Sequence, residues 1–413
     1  MSKQERSWII YDWACSAYTM TILTLIFPVF FKTYIAKDLA GYESTAYLSY
    51  ANSFAALIIA ILAPFLGMIA DFKGNKKKFF SFFLAIGLFF TLSLSFVSQG
   101  KIFFSLFIFV LSIIGYAGAN VFYDSFLTDI TPTKKMDKVS THGFAWGYIG
   151  GVLLFIISYL IIYFRTSLGI SLTIATKLSF ILTAIWWLIF SIPILKNVKQ
   201  NHYIEPVKNP FSYTWKKTLS ILKTIKKNKP AFMFLLAYFF YIDGVSTIIK
   251  LSSSYGLDLG IDQNTLMIIF IMTQFVAFPC AILFAKLAKI FSPKKIILLG
   301  IGIYTSISIF AFFMSTPLHF WIMAMMVAFA QGGIQALSRS YFGKLIPKEN
   351  SSEFFGIYNI FGRFATIMGP LLLGGLTTLT GNSKYGVLSL IVLFAIGGIL
   401  LIRVPEEENR SVK

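Results

Sequence analysis

Charge is scarce in this 413-residue chain, and cysteine and histidine are scarcer still. Only 13% of the residues are Asp, Glu, Lys or Arg, against roughly 25% in a soluble globular domain. Hydrophobic residues make up 57% and the mean hydropathy is +0.75, which excludes a water-soluble fold. The two cysteines, Cys15 and Cys280, both fall in apolar runs and read as small buried hydrophobes rather than a disulfide or metal pair. His142, His202 and His319 are scattered without metal-ligand spacing, there is no G-x-S-x-G or phosphate loop, and Gly300-Ile-Gly302 lacks a third glycine and a preceding strand. An enzyme is not expected, nor a catalytic residue, metal or cofactor.

What the chain has instead is apolar length. Crossing about 30 Å of hydrocarbon takes roughly 20 apolar residues, and suitable runs lie near 8–35, 46–70, 79–98, 102–127, 143–163 and 175–195. Six more follow near 231–254, 264–289, 294–314, 318–343, 354–378 and 384–403. The expectation is an all-α membrane protein of twelve transmembrane helices in two pseudo-symmetric six-helix bundles. Residues 1–196 form the first bundle, 197–230 a basic linker and 231–413 the second. The first run is far longer than a signal-peptide core, so no cleavage is expected. Within the linker Phe211, Trp215, Leu219, Leu222 and Ile225 recur at helical spacing, which suits either a helix lying on the inner membrane face or a solvated linker helix.

The net charge of +19 would fit a nucleic-acid binder, but its distribution decides otherwise. With loops assigned alternately to the two sides, one side collects 27 of the 36 basic residues. The positive-inside rule puts that side, and both termini, in the cytoplasm of a cell-membrane protein. The expected partners are the lipid bilayer and a small-molecule substrate, not nucleic acid, and the chain is expected to be a monomer.

A repeat supports the duplication. Residues 117–132, AGANVFYDSFLTDITP, and 332–347, GGIQALSRSYFGKLIP, align so that Gly118, Ser125 and Pro132 recur as Gly333, Ser340 and Pro347. Asn120 answers Gln335, while Asp124 becomes Arg339 and Asp129 becomes Lys344, so the register persists and the charges invert.

Six ionisable residues sit inside spans: Asp12, Asp124, Asp243, Lys250, Arg339 and Arg363. Facing lipid, they would cost on the order of 15 to 21 kcal/mol together, more than the ~5 to 15 kcal/mol that holds a typical fold. They must face the bundle interior or a wet cavity. Spacing agrees: Asp12, Ser16 and Thr19 share one face of the first span, and Asp243, Thr247 and Lys250 one face of the seventh. Tyr116 and Asn120, Gln331 and Gln335, and Asn359 and Arg363 make further polar stripes. The candidate substrate- or ion-binding set is Asp12, Ser16, Asn120, Tyr241, Asp243, Lys250, Gln335, Asn359 and Arg363. Asp124 and Arg339 are candidate gating residues, expected to pair in one state and part in another. Helix glue is the competing role for the hydroxyls, and ion pairs can simply hold a bundle shut.

Between the second and third spans stands Gly67-Met-Ile-Ala-Asp71-Phe-Lys-Gly74-Asn-Lys76-Lys77-Lys78, similar to the loop signature of the major facilitator superfamily. Gly67 permits close helix contact, Asp71 can accept from a helix N-terminus, and Gly74 makes a tight turn. Lys76 and Lys77 are expected to hold the loop at the anionic inner leaflet. All five belong to the gating set. In the matching loop between the eighth and ninth spans, Lys289 stands in for Asp71 and Ser292 for Gly74.

The chain as a whole resembles the vacuole-effluxer branch of that superfamily. The resemblance rests on Tyr11-Asp12-Trp13-Ala14-Cys15-Ser16-Ala17-Tyr18 with Phe27-Pro28, on Gly147-Tyr148-Ile149-Gly150-Gly151, and on Tyr241-Ile-Asp243-Gly244-Val245. Gln335-Ala-Leu-Ser-Arg339-Ser340, Glu353-Phe-Phe-Gly356 and Gly369-Pro370 add to it. The family's Asn in the first-helix motif is Cys15 here. The resemblance implies a rocker-switch transporter of amino acids or similar solutes, coupled to protons or sodium. An amphiphile, drug or lipid-like substrate is the alternative, and a transporter-like sensor without net flux a further one.

Overall fold

Inside hydrocarbon every backbone N–H and C=O must find a partner within the protein, so long apolar segments can only be helices. The computed structural model describes residues 1–39, 41–205, 226–258, 263–365, 368–380 and 383–405. The linker stretch with the expected amphipathic pattern lies outside them, as do the side chains of Lys250 and Arg363.

The helices are α1 (Lys3–Tyr18), α2 (Gly41–Ala70), α3 (Asn75–Ser93), α4 (Ile102–Ser125), α5 (Met136–Tyr163), α6 (Leu172–Asn197), α7 (Lys229–Asp258), α8 (Gln263–Phe291), α9 (Pro293–Phe313), α10 (Pro317–Leu345), α11 (Ser351–Phe364), α12 (Met368–Thr380) and α13 (Ser383–Ile402). Among the described residues, ten segments are long and apolar enough to cross a membrane. Their outward faces carry what water would not tolerate: Phe103 is 74% exposed and Phe89 64%.

Helices overrun the apolar runs at their polar ends. The apolar pattern starts near 143, yet α5 begins at Met136, because its first turns are held by polar contacts that hydropathy does not register. The first span is likewise not one regular helix. After α1 the chain is wound as a π-helix over Thr19–Leu25 and again over Phe31–Ile35, with Ile26–Phe30 between them. π segments of this kind are rare and recur at functional sites. The eleventh apolar run contains α11 and α12 among the described residues.

The chain forms two compact units. The first comprises Met1–Thr131, Trp146–Lys216 and Lys348–Gly356; the second comprises Pro132–Ala145, Lys217–Pro347 and Ile357–Lys413. Each unit includes the opening turns of a helix that continues in the other, α11 in the first and α5 in the second.

Candidate functional site

In the first unit the loop after α2 is tied down by the opening of α11. The first four N–H groups of any helix lack intrahelical acceptors and carry its positive dipole end. Asp71, fully buried, takes two of them: Oδ1 accepts from the Ser352 N–H and Oδ2 from the Glu353 N–H, each at 2.9 Å. The approach is close enough that a Cβ on Gly67 would lie 2.7 Å from the Ser352 carbonyl oxygen. Gly74, at φ +78°, turns the chain into α3.

Lys76 does not reach the membrane surface as its position in a basic loop suggests. It is fully buried and donates to Asp129 Oδ2 at 2.7 Å and to Ser351 Oγ at 2.8 Å, with Asp71 Oδ1 4.0 Å away. Two inward carboxylates explain the difference, since an ammonium with such partners is better held inside than at a headgroup. Lys77 donates to the Val198 carbonyl at 2.9 Å, while Lys73 and Lys78 stay exposed.

A strap from the start of the linker completes this cluster. The Gln200 carbonyl accepts from Gly74 N–H at 3.0 Å, and its amide donates to Ala70 and Asp71 carbonyls at 3.2 and 3.3 Å. Asp129 Oδ1 accepts from the Asn201 and His202 N–H groups at 2.9 and 2.7 Å. Burial raises the Asp71 carboxyl to about 7, despite the Lys76 charge and the two amides that lower it.

The second unit has its own polar cluster, built on the first turns of α5 and the end of α10. Asp137 accepts from Ser340 Oγ on Oδ1 and from Lys344 Nζ on Oδ2, both at 2.7 Å. One turn on, Arg339 donates from Nε to Ser140 Oγ at 2.9 Å and from Nη2 to the Ser140 carbonyl at 3.0 Å. Its guanidinium lies 4.4 Å from the centre of the Phe144 ring. Asp137, Ser140 and Phe144 escaped the sequence reading, although an acid in the first turn of a helix is an ordinary N-terminal signal. Ser351, Ser352 and the linker residues Gln200, Asn201 and His202 escaped it too. Ser352, Asn201 and His202 contribute backbone N–H groups, which side-chain type does not announce, and Gln200 and Ser351 are polar residues of a kind common in any loop or helix start.

Deeper in each unit a buried aspartate recurs in a matching frame. Asp12 on α1 is 6% exposed, and the Cys15 thiol donates to its Oδ1 at 3.6 Å. A Cβ on Gly147 of α5 would lie 2.7 Å from Ser16 Oγ and 3.4 Å from Asp12 Cβ. On α7, Asp243 is fully buried; its Oδ2 accepts from Gly369 N–H of α12 at 2.8 Å and its Oδ1 from Thr247 Oγ1 at 3.4 Å. A Cβ on Gly369 would strike Thr247 Oγ1. Both units thus show an aspartate, a hydroxyl one turn on, and a glycine of the packing helix pressed against the pair.

The other candidates take simpler places. Tyr241 is fully buried with its hydroxyl 2.6 Å from Ser338 Oγ. Thr19 Oγ1 lies 2.8 Å from the Tyr116 hydroxyl. Asn120, Asp124, Gln335 and Asn359 are half-buried, and the buried Asn120 Oδ1 has no hydrogen-bond partner among the described residues. Lys250 and Arg363 fall outside the described side chains. No group of three metal-ligating side chains occurs among the described residues.

Comparison with known proteins places this architecture. A Bacillus subtilis (strain 168) protein called an uncharacterized MFS-type transporter, YxiO, is 49% identical over all of this chain and 97% of its own length. The autophagy-related protein 22 of Yarrowia lipolytica is 26% identical over 66% of this chain and 51% of its own, so the chain spans about half the length of that fungal relative. A solved structure of the major facilitator superfamily proton:xylose symporter XylE superposes with a TM-score of 0.75 at 12% identity, covering 98% of this chain and 96% of that one. The family described as "Vacuole effluxer Atg22 like" matches residues 39–412. The chain therefore belongs to the Atg22-like vacuole effluxer family, and its fold is that of the major facilitator transporters.

Proposed function

We propose that this protein is a secondary transporter that moves a small zwitterion, an amino acid or a close analogue, by alternating access coupled to a proton or sodium gradient across the cell membrane. The observation that carries the reading is the recurrence, once per unit, of an aspartate buried in an apolar helix beside a hydroxyl and a glycine backbone. Carboxylates at such depth are costly, and where they occur in transporters they mark substrate or ion pathways. Two of them give a transporter the two things it needs, one anionic partner for a substrate amine and one group whose occupancy differs between states. Lys250 and Arg363 are the proposed partners of the substrate carboxylate. The family's effluxer description supports transport, and the amino-acid-like cargo follows from the sequence resemblance and from the opposed charges, which suit a zwitterion. The basic loops support cytoplasmic termini.

The test is purified protein in proteoliposomes, screened with radiolabelled amino acids under imposed proton and sodium gradients. Accumulation of at least one amino acid that collapses when the driving gradient is dissipated is the expected result. Binding without flux would replace the reading by a sensor. Flux of hydrophobic dyes in place of every amino acid would replace the substrate class.

A further inference from the structure

Asp71 is held from two sides. Its carboxylate accepts the Ser352 and Glu353 amides of α11, and its main-chain carbonyl accepts two donors from the start of the linker, the Ile204 N–H at 2.9 Å and the Gln200 amide at 3.3 Å. One residue thus joins the opening of α11 to the segment that follows α6.

That segment, residues 198–204, lies across the end of α2, the start of α3 and the stretch after α4. Helix ends leave orphan groups, carbonyls where α2 stops and N–H groups where α3 begins. Gly74, the N-cap of α3, has no side chain with which to satisfy them. Gln200 does so from outside the loop: its carbonyl accepts from Gly74 N–H at 3.0 Å and Lys76 N–H at 3.4 Å, while its NH2 donates to the Ala70 and Asp71 carbonyls at 3.2 and 3.3 Å. Only a carboxamide offers an acceptor and a pair of donors on one short plane. Lys73 N–H donates to the Ile204 carbonyl at 3.2 Å, which closes a short parallel bridge between Phe72 and Ile204. Further along, Asn201 fixes Asp129 twice, with its N–H to the carboxylate and its side-chain amide to the carbonyl at 2.8 Å. The exposed Lys73–Glu205 pair, at 3.7 Å, adds little to this.

We infer that Gln200 is a positioning residue for Asp71: the docked linker strap sets the Asp71 backbone where its carboxylate meets α11, and undocking of the strap frees the start of α11. The loop's own bonds, from Asp71 N–H to the Gly67 carbonyl and from Phe72 N–H to the Ile69 carbonyl, fix its amides and leave the Asp71 carbonyl to the strap. A fully buried carboxylate that gives one oxygen to each of two successive amides admits little play in its backbone. Gly67 shows the same lack of slack, since a Cβ there would lie 2.7 Å from the Ser352 carbonyl oxygen. Strap docking and the Asp71–α11 contact therefore stabilise each other, by the same factor in both directions. The linker is on this account a working part of the loop it follows, and that holds whatever the cargo.

Hydrogen exchange of the full-length protein in detergent tests the coupling without a substrate. Gln200→Ala should speed exchange at the Ser352 and Glu353 amides about fivefold, the scale of one neutral hydrogen bond, although Gln200 touches neither. Gln200→Glu separates positioning from capping. Glutamate keeps an acceptor for the Gly74 and Lys76 amides and loses both donors, so those two amides should stay protected while Ser352 and Glu353 exchange faster. In the other direction, Asp71→Asn leaves the main-chain carbonyl in place, yet the Ile204 amide bound to it should exchange faster; this arm serves if the Gln200 variants do not assemble. Wild-type exchange at Ser352 and Glu353 in Gln200→Ala, their full protection in Gln200→Glu, or an Ile204 amide unmoved in Asp71→Asn overturns the inference and leaves Gln200 a local cap. Failure of every amino acid in the proteoliposome screen would remove the cargo reading and leave these exchange rates as they are.

Discussion

Lys344 donates to Asp137 at 2.7 Å, and its repeat counterpart Asp129 accepts from Lys76 at the same distance. The charge inversion between the two copies is thereby matched by inverted partners, and in each unit the partner stands outside the repeated segment. Asp129 finds a lysine from the first turn of α3; Lys344 finds an aspartate from the first turn of α5.

Removing one member of the Lys76–Asp129 pair strands a charge with neither side chain exposed. Such a loss costs about 3 to 5 kcal/mol, whereas replacing both partners by apolar residues costs much less. Lys76→Met and Asp129→Leu should each lower the unfolding temperature in detergent markedly, and the double variant should recover most of the loss. Additive single-variant effects would show that the pair contributes nothing as a pair. Because Asp129 also accepts from Asn201 and His202, its variant should lose more than that of Lys76.

Arg339 separates charge from geometry. Its guanidinium reaches both the hydroxyl and the carbonyl of Ser140 and stacks on Phe144, a combination that a lysine ammonium cannot reproduce. Arg339→Lys should therefore destabilise by about 1.5 to 3 kcal/mol, the scale of a hydrogen bond to a charged group. Ser140→Ala should lose less, since the carbonyl contact survives. Equal stability of Arg339→Lys and wild type in thermal unfolding would sink the argument.

Gly67 offers a test of close approach. An alanine Cβ there would lie 2.7 Å from a backbone oxygen that cannot rotate away, so Gly67→Ala should push the start of α11 off the loop. Hydrogen exchange at the Ser352 and Glu353 amides reads this directly: both should exchange faster than in wild type, while amides in α4 stay protected. Unchanged protection at the two amides would mean the loop absorbs the methyl group.

The sequence exposes this fold readily because lipid imposes two plain signals, apolar length and loop charge, and because a second copy repeats the first. It exposes Asp12 and Asp243 for the same reason, as charges where hydrocarbon permits few. What it hides is the backbone. Nothing in the letters of Ser352, Glu353 or Gly369 says that their N–H groups will meet Asp71 and Asp243, since any residue carries that donor. Asp137 is hidden differently: it stands among Lys134, Lys135 and Lys138, and a basic cluster read for topology conceals an acid read for capping.

The pH dependence of the Asp71 contact follows from two opposed effects. Two amides, a helix dipole and Lys76 favour its ionised form, and complete burial disfavours it; burial wins, leaving the carboxyl at about 7. Freed into water the group would return to about 4. The docked state is therefore the one that holds the proton more tightly, so the stabilisation is full below about pH 4 and is lost as pH rises through about 7, beyond which it stays flat. Asp71→Asn keeps the volume and removes the titration. The difference in unfolding temperature between wild type and Asp71→Asn should fall steadily across that window and level off above it, with protection of the Ser352 and Glu353 amides falling in parallel. A difference that rises with pH would mean that the amides and Lys76, rather than burial, set the proton affinity of this carboxyl.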